Sequence, residues 1–224
     1  MPSHESRLVI RRGLDVAPSH PPRVALSIVL TFTTKKDTLE EYSIEVKKAA
    51  LKTLVFIAKA LNMEVEEMKE LFEDGMQGMR MNYYPPCPQP EQVIGHSPHS
   101  DAVGITFLLQ LNQVEGLQIK KDGMWIPVKP LHDAFIVNIG DILQIVTNEA
   151  YSSIEHRAIV NSEKKRMSIA TFLSPNMDGD FGPAPSLITP ETPARFTRVN
   201  VVDYFKNLFS KELKEKMMID QYRK

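Results

Sequence analysis

Two short patterns in this chain bring together residue types suited to chemistry at a metal. The first is His99-Ser100-Asp101, with His156 much further along. On an extended strand, side chains two residues apart leave the same face. His99 and Asp101 can therefore converge on one point, which a neighbouring strand carrying His156 would complete. Two imidazoles and one carboxylate on one side of an ion, with open positions opposite, form the facial arrangement of non-haem Fe(II) sites. The second pattern is Arg166-Met167-Ser168, ten positions after His156. Arg166 and Ser168 again share a strand face, and together offer a cation and a hydroxyl to a carboxylate. The rest of their strand is apolar (Met167, Ile169, Ala170, Phe172), so an inward arginine there calls for an anionic partner.

These residues need a rigid support, and the hydrophobic periodicity supplies one. Thr38-Leu39-Glu40-Glu41 reads as a capping box. Leu39, Tyr42, Val46, Ala50, Leu54, Ile57 and Leu61 then recur at three- and four-residue steps, which predicts an amphipathic helix over 39–61. A shorter helix is expected over 65–72, stopped at Gly75. From Met79 the period switches to two, up to Tyr84 and the prolines that follow. Further strands are expected over 105–111, 116–120, 124–128, 134–139, 142–146, 155–160 and 166–173. Asp122-Gly123 and Gly140-Asp141 are read as hairpin turns. Val24–Phe32 is one further candidate strand. Residues 175–199 are Pro-rich and irregular, and helical spacing returns over 200–217. Many short strands with frequent turns indicate a mainly β fold with flanking helices: a double-sheet jelly roll or cupin-like barrel, with a supporting N-terminal helix and a C-terminal helix.

Composition narrows the classes. At 224 residues and a formal net charge of −1, with no long basic block, nothing points to nucleic acid. The longest apolar run, Val24–Phe32, is far too short to cross a bilayer. A single cysteine, Cys87, rules out an intramolecular disulfide and suits a reducing compartment, so a cytoplasmic location is expected. The chain is also expected to be a monomer. Cys87 lies between prolines with no activating base at a known spacing, and reads as structural. His96 reads as a loop histidine, Trp125 as a packing residue after a hairpin, and His132 as a surface residue.

The ordered set Asn82-Tyr83-Tyr84-Pro85-Pro86-Cys87-Pro88-Gln89-Pro90-Glu91, His99-Ser100-Asp101, Asn138-Ile139-Gly140-Asp141, Ser153-Ile154-Glu155-His156-Arg157 and Arg166-Met167-Ser168 resembles the plant 2-oxoglutarate/Fe(II)-dependent dioxygenases, of isopenicillin N synthase-like type. Its phrasing is most similar to the branch of the codeine and thebaine O-demethylases and their senescence-related relatives. The likeness runs from about Asp37 to the C-terminus. It implies that His99, Asp101 and His156 hold Fe(II) as the catalytic centre. It also implies that Arg166 and Ser168 bind the distal carboxylate of 2-oxoglutarate, that Tyr84 with Asn82 completes that pocket, and that Phe172 borders the substrate. The implied activity is hydroxylation or O-demethylation of a small plant secondary metabolite or hormone-like compound. Dioxygen would be co-substrate and ascorbate a supporting reductant.

Residues 1–36 do not resemble the region that precedes these helices in the family. The chain therefore divides into an atypical, poorly ordered segment (1–36), a helical remnant (37–75), a jelly-roll core (76–178) and a C-terminal loop and helix (179–224). It reads as an N-terminally truncated member, for which a non-catalytic or weakly active remnant that still binds metal and 2-oxoglutarate is the alternative. Two further departures are Glu149, where an Asn-Gly turn is usual, and His96, where a small apolar residue is usual.

Overall fold

A computed structural model describes the backbone of residues 9–11, 26–29, 36–210 and 216–224, and the side chains of 37–210 and 219–224. In chain order the elements are β1 (Val9–Arg11), β2 (Leu26–Val29), α1 (Lys36–Ala60), α2 (Val65–Phe72), β3 (Gln77–Tyr84), β4 (Ile94–His99), β5 (Ile105–Gln110), β6 (Leu117–Lys121), β7 (Met124–Pro127), β8 (Phe135–Ile139), α3 (Asp141–Val146), β9 (His156–Ile159), β10 (Arg166–Leu173), β11 (Asp180–Phe181), β12 (Val199–Asn200) and α4 (Val201–Ser210). A six-stranded sheet runs β1-β2-β3-β10-β5-β8, and a four-stranded sheet runs β4-β9-β6-β7. All pairings are antiparallel. This is the jelly-roll architecture expected from the strand pattern. The expected disorder of residues 1–36 falls mostly outside the described residues; β1 and β2 extend the large sheet at its β3 edge.

The helices cover the back of the large sheet. Along α1 the buried residues are Val46, Ala50, Leu54 and Ala58, one stripe at four-residue steps. With Met68 and Phe72 of α2 they pack into a core shared with Ile105, Phe107 and Leu173 of the sheet. Between the two sheets the buried apolar cluster is much smaller: Tyr84, Ala158 and Val160, with Cys87 and Val93 against them. Most of that space is a cavity.

Four expectations are corrected. Residues 142–146 are not a strand. They belong to α3, whose residues are all buried. A short apolar run flanked by a glycine has no decisive period, and burial on every side hides the difference. Gly140 is needed there because an added Cβ would meet the Val103 carbonyl oxygen at 2.1 Å. This close approach lets Asp141 N–H bond the Asp101 carbonyl (2.8 Å) and Ile142 N–H bond that of Val103 (3.1 Å). Gly140-Asp141 thus opens a helix rather than turning a hairpin. Second, the Thr38–Glu41 box does not start α1, which is already helical at Lys36. Third, His96 lies in strand β4, not in a loop. Fourth, β4 ends at His99, so Asp101 stands just beyond the strand and not on its face. At the other end of the chain the expected helix is described over Val201–Ser210 as α4, and residues 211–215 of it lie outside the described residues.

Candidate metal centre and cavity

The two histidines are paired across strands. His99 at the end of β4 is the register partner of His156 at the start of β9. Register shifts between Ile94 and His96 and again between His96 and His99 break the simple alternation of β4. Such irregularities re-aim side chains, and here they bring His96 and His99 onto one side, with ring centroids 4.1 Å apart. The His99 and His156 rings lie 4.3 Å apart.

Each imidazole is oriented through its Nδ1. His99 Nδ1 donates to the Ser97 carbonyl (2.7 Å) and His156 Nδ1 to the Ile154 carbonyl (3.1 Å). A carbonyl can only accept, so the proton sits on Nδ1 and the Nε2 lone pair is left for a ligand. Both Nε2 atoms face Asp101 Oδ1, at 3.6 and 3.7 Å. The other carboxylate oxygen is fixed by the large sheet: Oδ2 accepts from Thr106 Oγ1 on β5 (2.7 Å) and from Asn138 Nδ2 on β8 (2.8 Å). Burial works to raise the Asp101 pKa, but the neighbouring His99 and His156 and the Asn138 amide overcome it and hold the carboxyl well below its usual range. Burial pushes the His156 pKa down, against the opposing pull of Asp101. Among the described residues, His99, Asp101 and His156 are the one group of three whose potential ligand atoms lie within 4.8 Å of one another. Two free Nε2 lone pairs and one unclaimed carboxylate oxygen, converging with no fourth side chain, fit an iron(II) ion with open coordination positions.

The triad lines a cavity of about 430 Å³. A second polar cluster faces the same cavity from β3 and β10, whose register sets Arg166 opposite Tyr84 and Ser168 opposite Asn82. Arg166 is 2% exposed. Its Nη2 donates to Gln110 Oε1 (3.0 Å), its Nη1 lies 3.5 Å from Ser168 Oγ, and its Nε has no partner. The guanidinium sits 5.4 Å from the centre of the Tyr84 ring. Gly116 makes room for it: a Cβ there would meet Arg166 Cδ at 2.6 Å. Burial lowers the Arg166 pKa and raises that of Tyr84, yet an arginine stays charged. A buried guanidinium with an orphaned N–H and, among the described residues, no carboxylate partner is built to receive an anion. Phe172, half-buried, lines the same cavity. All of the candidate residues read from the sequence are thus brought together around one space.

A scan against family models matches residues 75–175 to the 2OG-Fe(II) oxygenase superfamily. The chain is 56% identical over 188 residues to oxoglutarate-dependent flavonoid 7-O-demethylase 1 of Ocimum basilicum, covering 84% of this chain and 50% of that protein. It is 53% identical over 189 residues to codeine O-demethylase of Papaver somniferum, covering 84% of this chain and 52% of that protein. Residues 75–175 thus carry the sequence of a 2OG-Fe(II) oxygenase domain. The chain spans about half the length of the curated relatives it matches. Among solved structures it superposes on JOX2 in complex with 2OG, Fe and JA with a TM-score of 0.81 and 36% identity, covering 87% of this chain and 58% of that one.

Several residues at the site carry no signal of their own in the sequence. Asn138 stands in one of the quoted motifs, but its bond to Asp101 depends on β8 pairing with β5. Thr106 and Gln110, on one face of β5, are reachable only by alternation from a register that pairs β5 with β10. Arg80 follows from the same period as Asn82 and Tyr84, and it too faces the cavity. Its Nη1 donates to His96 Nε2 at 2.9 Å. His96 is half-buried, and burial, with the neighbouring His99 adding to it, pushes its pKa down to about 3.

Proposed function

We propose that this chain is an Fe(II)- and 2-oxoglutarate-dependent oxygenase that hydroxylates or O-demethylates a small plant secondary metabolite or hormone-like compound, working as a cytoplasmic monomer. The observation that carries this reading is the buried, anion-seeking Arg166 facing the same cavity as the His99/Asp101/His156 triad. The names of the relatives, a flavonoid 7-O-demethylase and a codeine O-demethylase, support the substrate class. For localisation the support is indirect: one cysteine, and no helix among the described residues long and apolar enough to cross a membrane.

His99, Asp101 and His156 would hold the iron, which supplies the oxidative chemistry by coupling dioxygen activation to decarboxylation of 2-oxoglutarate. The protein's share is positional. Arg166 and Ser168 bind the distal carboxylate; Tyr84 and Asn82 wall that end, with burial keeping the Tyr84 hydroxyl protonated. Thr106 and Asn138 hold the Asp101 carboxylate in one rotamer, so that Oδ1 and not Oδ2 faces the imidazoles. Leu108, Leu117, Ile119 and Ile136 keep the space largely dry.

The test is succinate formation from 2-oxoglutarate by the full chain with Fe(II) and ascorbate, beside an H156A variant. Turnover that depends on His156 is expected. Folded protein that forms no more succinate than H156A would overturn the oxygenase reading and leave a chain that binds without turning over.

A further inference from the structure

A second cleft, of about 620 Å³, lies beside the metal cavity, and the reading above does not use it. The small sheet contributes Lys120 of β6, Trp125 of β7 and Glu155, which immediately precedes β9. Glu149, which follows α3, and Asp220 and Arg223 of the C-terminal residues 219–224 complete its polar lining. His99 and Ser152 line both this cleft and the metal cavity. The two spaces therefore adjoin at a member of the triad, and one ligand can reach into both.

The chemistry of the cleft differs from that of the cavity. Its charged groups form closed ion pairs. Lys120 Nζ donates to Glu155 Oε2 (3.0 Å), Arg223 Nε to Asp220 Oδ1 (2.8 Å) and Arg223 Nη1 to Glu149 Oε2 (3.1 Å). Glu149 also accepts from Arg195 (3.0 Å). Each cation lining the cleft thus has a carboxylate, and each carboxylate a cation. Arg157, stacked 4.2 Å over Trp125 and bonded to Gln118, lines the metal cavity instead. An anion or a cation entering the cleft would compete with a pair already made. A hydroxyl both donates and accepts, so a neutral, hydroxyl-rich ring can bond to carboxylate and cation together, in charge-assisted contacts. Trp125 adds a flat apolar surface for the C–H face of such a ring.

We propose that the cleft is a glycosyl subsite: the substrate carries a neutral sugar ring that sits between Trp125 and residues 219–224, while its apolar body occupies the metal cavity. The proposal rests on the oxygenase reading of that cavity and narrows the substrate class to a neutral glycoside.

Trp125 is the one tryptophan of the chain, so its fluorescence reports on the cleft directly. The test titrates the full chain loaded with Mn(II), with and without 2-oxoglutarate, using the phenyl, 4-methoxyphenyl and 2-phenylethyl β-D-glucosides, each against its aglycone. Binding is read by calorimetry and by Trp125 emission under red-edge excitation. At least one glucoside is expected to bind about tenfold or more tighter than its aglycone, the range of a charge-assisted contact, and to shift the emission with the same Kd. W125A should bring that glucoside to the level of its aglycone, with the aglycone and 2-oxoglutarate shifted by no more than about twofold. W125F, which keeps a ring, should recover most of the preference. K120M, at an exposed position, should lose part of it, and carries the test should W125A fail to fold. The matching glucuronide, which adds a carboxylate, should bind no tighter than the glucoside. Equal binding of glucoside and aglycone in all three pairs overturns the proposal, as does a preference that W125A and K120M both leave intact, or a glucuronide favoured over the glucoside. If 2-oxoglutarate fails to bind at all, the oxygenase reading falls, while the glucoside-to-aglycone ratio with Mn(II) alone still decides on the cleft.

Discussion

Replacing Arg166 by methionine separates a ligand-binding arginine from a structural one. Methionine roughly matches the length and removes the charge. A hydrogen-bonded charge contact contributes about 1.5–3 kcal/mol net, so loss of the arginine should raise the 2-oxoglutarate Kd by about 10- to 150-fold. A ligand at about 100 times its Kd adds about 2.7 kcal/mol of stability. In a chain of this size that is a rise in Tm of about 5–10 °C. At the same concentration R166M retains only about 0.3–1.4 kcal/mol of it. The ligand-free protein should respond differently. Arg166 is 2% exposed with an unpartnered Nε, so its removal relieves a desolvated cation and loses the hydrogen bond to Gln110 and the longer one to Ser168. The two roughly cancel, leaving the apo protein within about 1–2 kcal/mol of wild type. The assay is thermal unfolding of both proteins with Mn(II), across a 2-oxoglutarate series. An apo loss of about 3–5 kcal/mol with an undiminished ligand shift is the pattern of an arginine paired within the protein, and would refute the assignment.

Two other perturbations probe the supports of the site. N138L removes one of the two donors on Asp101 Oδ2, and is expected to lower Mn(II) affinity by about 10–100-fold with the 2-oxoglutarate response retained, read by titration of the metal. Glu149 sits at φ 73 on the left-handed side and is bonded by Arg223 and Arg195. The Arg223 bond outweighs burial and, with Arg195, lowers the Glu149 pKa to about 2. A depressed carboxylate adds stability that is present above its unfolded value and is lost as pH falls through its folded one. The wild-type chain should therefore lose anchoring of residues 219–224 between about pH 4.5 and 2, followed as proteolytic release of the C-terminal segment. E149Q should release it at every pH, without that acid limb.

The site was more legible in the sequence than the fold that builds it. Alternation alone placed Arg166 with Ser168 and Asn82 with Tyr84 on strand faces, because both strands keep a clean period of two. Histidine and carboxylate types then named the chemistry. The failures have a common origin in interactions that sequence spacing does not carry. Residues 142–146 read equally as strand or helix until the contact of Gly140 with the Val103 carbonyl is known. His96 was misplaced because irregularities in β4 shift its face, and local composition does not mark a bulge. Arg80 obeyed the period and was passed over, since a cation two residues before Asn82 on the same strand has no meaning until β10 brings Ala170 opposite and β4 brings His96 alongside. The pairing of β10 between β3 and β5 is long-range, and that pairing turns separate motifs into one cavity.

The division of labour between the sheets explains why so little apolar packing joins them. The imidazoles belong to β4 and β9 of the small sheet. The carboxylate, though it follows β4, is held through Thr106 and Asn138 by β5 and β8 of the large one. An ion bound by all three would be a cross-link between the two layers. Its binding free energy would then appear as resistance to their separation. The inter-sheet cluster of Tyr84, Ala158 and Val160 is small because the cavity occupies that volume, while the extensive core lies behind the large sheet under α1 and α2. Stability and reactivity are thus separated across one sheet. The back face carries the packing, and the front face is left open for ligands that complete it.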